Sequence, residues 1–353
     1  MSVRPGELLV ETLVLSRAER TGGDPTQLAA NWATIAPRGL ERLVTFEGCA
    51  LWLWRRLREL GAAAAPPAAF RDWLAREARG RAARNLLVDA QTDAVVGRLG
   101  AAGLPHVLLK GAARRFSSDL FPYAGARATH DVDVLVPAAR AREAWELLRR
   151  AGYEPTARDG DTHREHFHLP PLWDAQRVAV ELHTSTSRAV PPNEAWRRAT
   201  TGARTVERSG VRADVPAPTE LLWHGLTHAL RHRADAFRLR FLLDGAAILA
   251  TPVPFDWGDI ESRLGSGEVA RPRTALVWLA AAAALAGRRQ PSPLAAPGGE
   301  STPLADLAAA LERRRAVLRV VAVRGWLGTL LCWGTNPRGA RRAQVPSLRT
   351  SRS

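Results

Sequence analysis

Asp131-Val132-Asp133 sets two carboxylates two residues apart. On an extended strand such residues share a face, so both acids can converge on one point. Val132, Val134, Leu135 and Val136 make that strand apolar, which predicts burial. Two like charges brought together in such a setting repel each other and lose hydration. A divalent cation relieves both penalties, and magnesium in particular takes oxygen ligands and sits between carboxylates and substrate phosphates. A surface strand showing the same pair to water is the alternative that the pair alone leaves open. Glu181 and His183 share a face of a second apolar run, Val178 to His183. Asp131, Asp133 and Glu181 would suffice for two-metal, in-line phosphoryl transfer. Otherwise Glu181 is an edge-strand residue facing water.

The anion side of such a reaction has candidates as well. Lys110-Gly111 closes one short apolar run and opens a helix. Glycine there lets the backbone approach a phosphate, a helix start offers N–H groups, and Lys110 adds a compact cation. The plainer alternative is a strand-to-helix turn with a surface lysine. Lys110 is the only lysine in the chain; every other member of its 50 lysines and arginines is arginine.

Two histidine groups carry weaker signals. His163, His166 and His168 could bind zinc, but no cysteine or clear acid joins them. A place near the acceptor or phosphates accounts for them better, and a partly buried polar cluster better still. His224, His228 and His232 recur every four residues on one helix face, without the glutamate of a zinc-protease helix. They read as hydrogen-bonded packing against Asp244 or the core, with Asp244 pairing Arg238 or Arg240.

The elements that position these groups follow from periodicity. Residues 1–100 read as helical, with a long helix from Ala68 to Leu99 after the Pro66-Pro67 break. Between 101 and 215 the pattern changes. His106 to Leu109 reads as a strand, Ala112 to Leu120 as a helix, and the segment around Asp131 to Val136 as a strand. Ala138 to Ala151 reads as a helix closed by Gly152, and Phe167 to Pro170 and Arg177 to Thr184 as strands. Residues 216–333 are helical again, with a Pro/Gly/Ser-rich linker from Arg288 to Pro303, and 334–353 form a disordered basic tail. The expected fold class is α+β: a small mixed β-sheet core between N-terminal and C-terminal helical regions.

The segments LLKGAARRF, ARATHDVDVLV and AVELHTS together resemble an uncharacterised bacterial nucleotidyltransferase family within the DNA polymerase beta-like superfamily. Lys110, Gly111, Arg127, Asp131, Asp133, Glu181 and His183 fall on the family's motif positions, and the helical segments TELLWHGLTHAL and FRLRFLLDGAAILA extend the similarity. The resemblance implies a nucleotidyltransferase-like core in which Asp131, Asp133 and Glu181 are catalytic and hold Mg2+ or Mn2+. It implies that Lys110, Gly111, Arg127 and His183 line the nucleotide, with a nucleoside triphosphate such as ATP as donor. It leaves the acceptor open among a small molecule, a peptide and RNA. Relatives that lie beside peptide natural-product genes make a modified peptide one option. The chain departs from the superfamily pattern in having Ala112 where a serine is usual, and in placing its acids twenty residues beyond Gly111. His130 and Thr184 are further departures. A competing expectation is therefore a catalytically idle relative that binds peptide or RNA through its arginine-rich helices. A toxin- or antitoxin-type enzyme modifying tRNA or protein is a third.

Composition narrows the classes. A chain of 353 residues that is 46% hydrophobic can bury a large core. Its net charge of +15 fits a polyanionic partner, though a solvated arginine surface accounts for it too. Cys49 and Cys332 stand far apart without a CxxC, which argues against a disulfide framework or a cysteine zinc site. The longest apolar run, Ala275 to Ala286, is shorter than the roughly 20 residues needed to span a bilayer, so no membrane insertion and a cytoplasmic location are expected.

Overall fold

The computed structural model describes residues 4–15, 25–37, 39–155, 167–232, 235–288 and 303–324. Five helices come first: α1 (Pro5–Leu13), α2 (Pro25–Thr34), α3 (Leu40–Glu47), α4 (Ala50–Glu59) and α5 (Ala68–Ala101). The sheet and its helices follow as β1 (Val107–Leu108), α6 (Lys110–Phe116), β2 (Asp131–Leu135), α7 (Ala141–Arg150), β3 (Glu154–Pro155), β4 (Leu172–Trp173), β5 (Ala179–His183), α8 (Pro192–Thr200), β6 (Arg204–Arg208) and β7 (Val211–Val215). The chain then returns to helices: α9 (Pro218–Arg231), α10 (Leu239–Leu249), α11 (Trp257–Gly265), α12 (Pro272–Ala286) and α13 (Pro303–Arg324). The fold is α+β with a mixed sheet, as the periodicity predicts. The expected tail at 334–353 and most of the expected linker lie outside the described residues.

Seven strands run in the order β3-β4-β5-β2-β1-β7-β6. At the centre β2 and β5 are parallel, with Asp133 directly opposite Glu181 and Leu135 opposite His183. β1 pairs antiparallel with β2 and parallel with β7. The β6–β7 hairpin, which the motif reading passed over, turns on Ser209 and Gly210, both at positive φ (53° and 76°). A two-residue loop with both φ positive matches the twist of the flanking strands. The predicted strand from Phe167 to Pro170 is reduced to one bridge, His168 opposite His183. Pro170 and Pro171 lack the N–H that would continue the ladder, and pairing resumes only at β4. The predicted helix at Ala112 starts instead at Lys110 and ends at Phe116.

Most buried apolar side chains of all three regions join in one cluster, and a smaller one of Val107, Leu109, Leu135 and Ala199 lies against Trp196. Two features outside the sheet position it. Asn85, buried midway along α5, donates to the Arg127 carbonyl (2.8 Å) and accepts from the Thr129 N–H (2.9 Å), holding the segment that leads into β2. Glu47, fully buried at the end of α3, accepts from the first N–H of α10 (Leu239, 2.8 Å) and pairs with Arg314 of α13 (2.8 Å). A carboxylate there satisfies a helix end and its partial positive charge. The run Arg313 to Arg315, which composition alone suggests is a solvated face, is therefore partly structural. Arg315 also reaches the Ala36 carbonyl at 3.1 Å. Cys49 is a free, buried thiol whose pKa burial pushes up.

Candidate active site on neighbouring parallel strands

Parallel pairing of β2 with β5 decides the site. Asp131 and Asp133 alternate with buried valines on β2, and Glu181 and His183 do the same on β5. With Asp133 in register with Glu181, all four side chains leave the sheet on one face. Asp133 is 1% exposed and His183 0%, whereas the Glu181 side chain keeps 23% of its surface. His183 Nε2 lies 2.9 Å from Asp133 Oδ1 and 3.3 Å from Glu181 Oε2. Its Nδ1 is buried with no hydrogen-bond partner among the described residues. The rings of His183 and Phe167 stack with their centroids 5.7 Å apart.

Lys110 completes the group. Its Nζ is 2.6 Å from Asp133 Oδ1 and 4.0 Å from Glu181 Oε2. Asp133 Oδ1 thus faces both an ammonium and an imidazole. To get there Lys110 adopts φ +48°, a left-handed conformation that a side chain other than glycine's rarely takes. Burial lowers the Lys110 ammonium's pKa, but Asp133, Asp131 and Glu181 outweigh it and hold it above its ordinary value. Burial likewise opposes the Asp133 carboxylate, and Lys110 and His183 overcome that, keeping it well below the usual range. Asp131 goes the other way. The Asp133 charge beside it, together with burial, pushes its carboxyl up to about 6. Glu181 is held below its usual value by the His183 hydrogen bond in spite of burial.

The ligand atoms of Asp133, Glu181 and His183 all lie within 4.8 Å of one another, a spacing that fits a single metal ion. Asp131 sits one pleat away on the same face and is not one of that trio. Its raised pKa reports negative charge that one lysine does not balance. The residues thus fit a divalent cation by both donor geometry and charge.

Gly111 and Arg127 turn out to be coupled. A side-chain carbon on Gly111 would run into the Arg127 guanidinium (2.9 Å from Cζ) and Thr129 Cγ2 (2.8 Å). Glycine is thus required here by the arginine that crosses beneath the turn, an origin distinct from phosphate approach. Arg127 Nε bonds both oxygens of Asp244 (3.1 and 2.9 Å), and its Nη1 donates to Thr129 Oγ1 at 2.9 Å. Asp244 also pairs with Arg114 (2.8 Å), 3% exposed on α6. The expected partners of Asp244, Arg238 and Arg240, are replaced: Arg238 pairs with Asp235 at 3.0 Å instead. Short-range spacing along α10 favoured the neighbours, and only tertiary packing could bring Arg114 and Arg127 across.

His224 is buried with its Nε2 lacking a partner among the described residues, so of the two expected settings, Asp244 and the core, it takes the core. Burial drives its pKa well down and that of His228 to about 3, with Lys110 adding to both. His228 and His232 pack as rings against Phe241. Lys110, Arg127, Asp244, His224 and His228 line a small cavity of about 30 Å³ behind the turn. Of the other histidine cluster, His163 and His166 lie outside the described residues, while His168 packs on His183 with ring centroids 5.4 Å apart. Sequence reasoning missed Asn85, Arg114 and Asp244 as supports of this site, because nothing local distinguishes them.

The site thus joins acids and a histidine on two adjacent parallel strands to a lysine at the start of α6, within an α+β fold. The chain belongs to the uncharacterised nucleotidyltransferase family, whose model matches residues 35–284. Among solved structures, an antigenic nucleotidyltransferase-like protein from Paracoccidioides brasiliensis is similar at 18% identity, covering 59% of this chain and 95% of that one with a TM-score of 0.42. No curated protein matches. No helix among the described residues is long and apolar enough to cross a membrane.

Proposed function

We propose that this protein transfers a nucleoside monophosphate from a nucleoside triphosphate to an acceptor oxygen, within the DNA polymerase beta-like superfamily. The observation that carries the reading is the convergence of Asp131, Asp133, Glu181 and His183 on one sheet face with Lys110 against them. Asp133, Glu181 and His183 would hold a divalent ion, Mg2+ or Mn2+, with Asp131 adding charge beside them. When bound, that ion supplies charge neutralisation and orientation for the donor phosphates.

The chain's own groups do the rest. Glu181 is the acid most open to solvent and accepts the proton of the attacking hydroxyl. The acceptor oxygen bonds to the α-phosphorus as the α–β bridging bond breaks, and pyrophosphate leaves. His183 turns Nε2 toward Asp133 and Glu181, so it would be the third ligand of that ion beside the two acids. Lys110 is the one cation within reach that is not arginine, and a flexible ammonium can move from Asp133 to the polyphosphate where a guanidinium fork would stay in its pair. Arg127, tied to Asp244, holds the Gly111 turn in place. The test is incubation with each of the four α-labelled triphosphates and candidate acceptors in Mg2+ or Mn2+. Metal-dependent label transfer, lost in the Asp131→Ala/Asp133→Ala variant, is expected. No transfer and no metal-dependent nucleotide binding would sink the proposal.

One observation favours a second reading, an idle relative that binds peptide or RNA. The serine usual after the turn glycine is Ala112, and nearby Ser117 is buried with its hydroxyl spent on the Ala113 carbonyl (2.7 Å). Unchanged biological activity of the double alanine variant would select this reading over the first.

A further inference from the structure

A cleft of about 430 Å³ opens between the C-terminal half of α9 and the start of α12. Its volume falls in the range of small-molecule sites. Leu230 and Val269 give it an apolar floor, and Arg231 and Arg271 stand at its edge, both exposed. Neither guanidinium is ion-paired or hydrogen-bonded among the described residues. That sets them apart from the arginines packed around the fold, such as Arg114, Arg127 and Arg198, which all have carboxylate partners. The one acid in the cleft, Glu268, is already engaged by Arg198 (2.7 Å) and by Trp223 Nε1 (3.1 Å). The cleft therefore offers two uncompensated cations over an apolar surface.

It also lies beside the acid site. The Arg231 guanidinium lies over the Phe167 ring at 4.7 Å, and Phe167 stacks on His183, whose Nε2 touches Asp133 and Glu181. One aromatic ring thus separates the cationic edge of the cleft from the reacting centre.

We propose that this cleft is the acceptor subsite, and that the acceptor carries an oxyanion gripped by Arg231 and Arg271; this rests on the transferase reading above. Guanidinium groups pair with phosphate or carboxylate through two parallel N–H bonds, and the apolar floor suits the body of an organic molecule. The polyphosphate tail of the donor is the other possible source of the same chemistry.

The experiment titrates inorganic phosphate into the full chain, with and without saturating α,β-methylene ATP, followed by calorimetry. Wild type is expected to bind phosphate with the same Kd in both conditions. The Arg231→Met/Arg271→Met variant should lose at least tenfold in phosphate affinity and keep its nucleotide Kd within twofold, with an unchanged circular dichroism spectrum. Phosphate affinity unchanged in that variant overturns the proposal. So does displacement of phosphate by the nucleotide together with loss of nucleotide affinity in the variant, which would assign the cleft to the donor tail. Phosphate binding does not require turnover. An Asp131→Ala/Asp133→Ala protein that binds phosphate normally therefore separates failure of the transferase reading from failure of this one.

Discussion

Two charge clusters meet at the Gly111 turn, and they are built on opposite principles. In one, Asp244 faces two guanidiniums, Arg114 and Arg127, at 2.8–2.9 Å, and the second arginine is further bonded to Thr129. In the other, Asp131, Asp133 and Glu181 share a single ammonium and an imidazole. The first cluster is satisfied within the fold. The second keeps an excess of negative charge, visible in the carboxyl of Asp131 pushed up to about 6. A buried pair that is complete stabilises a shape, whereas a buried group left incomplete is what a ligand can complete. The Lys110 contact to Asp133 has the look of structure, but its left-handed backbone and the uneven charge around it place it in the second class.

The largest difference between the clusters should appear on neutralising one acid in each. Asp133→Asn is expected to abolish metal binding and lower label transfer by about a thousandfold, since several kcal/mol of charge stabilisation are lost. Its unfolding midpoint in urea should fall less than that of an Asp244→Ala variant, because the amide can still accept from Lys110 and Asp131 loses a like charge beside it. A large stability loss with transfer intact would reverse the assignment of the two clusters.

Asp244→Ala should do the opposite at first reading. It strands the buried Arg114 and the part-buried Arg127, which costs roughly 3 kcal/mol of stability, measurable by urea denaturation. The pH dependence sharpens this. Burial opposes the Asp244 carboxylate, but Arg114 and Arg127 outweigh it and hold its pKa below the ordinary value. Its contribution is therefore present at neutral pH and fades as pH drops below about 3.9 and on through the folded pKa. The variant should accordingly show a shallower loss of stability on acidification than wild type.

A subtler result is expected from Lys110→Met. If the ammonium occupies the acids until a polyphosphate draws it away, removing it should tighten Mn2+ binding to the nucleotide-free protein by roughly tenfold, about 1.4 kcal/mol. The same change should weaken triphosphate binding. Weaker metal binding in the variant would show that Lys110 supports the ion and does not compete with it. The smallest effect belongs to an ordinary surface pair: Glu146→Gln, which removes the Arg142 contact at 2.8 Å on α7, should shift stability by no more than about 0.5 kcal/mol.

Much of this site was legible before folding. The two-residue spacing on each apolar run placed Asp131 with Asp133 and Glu181 with His183, since strand periodicity alone puts alternate residues on one face. Lys110 and Gly111 were recognisable as a turn by their place between a short apolar run and a helix. The helices of both flanks, including the long α5, followed from apolar periodicity and proline breaks.

What the chain could not reveal locally was which strands are neighbours. The pairing of β2 with β5, separated by about fifty residues, turned a pair of acids and an acid–histidine pair into one centre with Asp133 opposite Glu181. The partners of Asp244 were invisible for the same reason: its bonds run to Arg127 and Arg114, 117 and 130 residues away in sequence. Gly111 shows both levels at one residue. Sequence marked it as a flexible turn, and the tertiary structure revealed that the Arg127 side chain fills the space where its own would lie. Periodicity is a property of neighbours along the chain, so the sequence by itself determined the elements and their reactive faces. Partnership depends on packing across the core, and only the folded chain decided it.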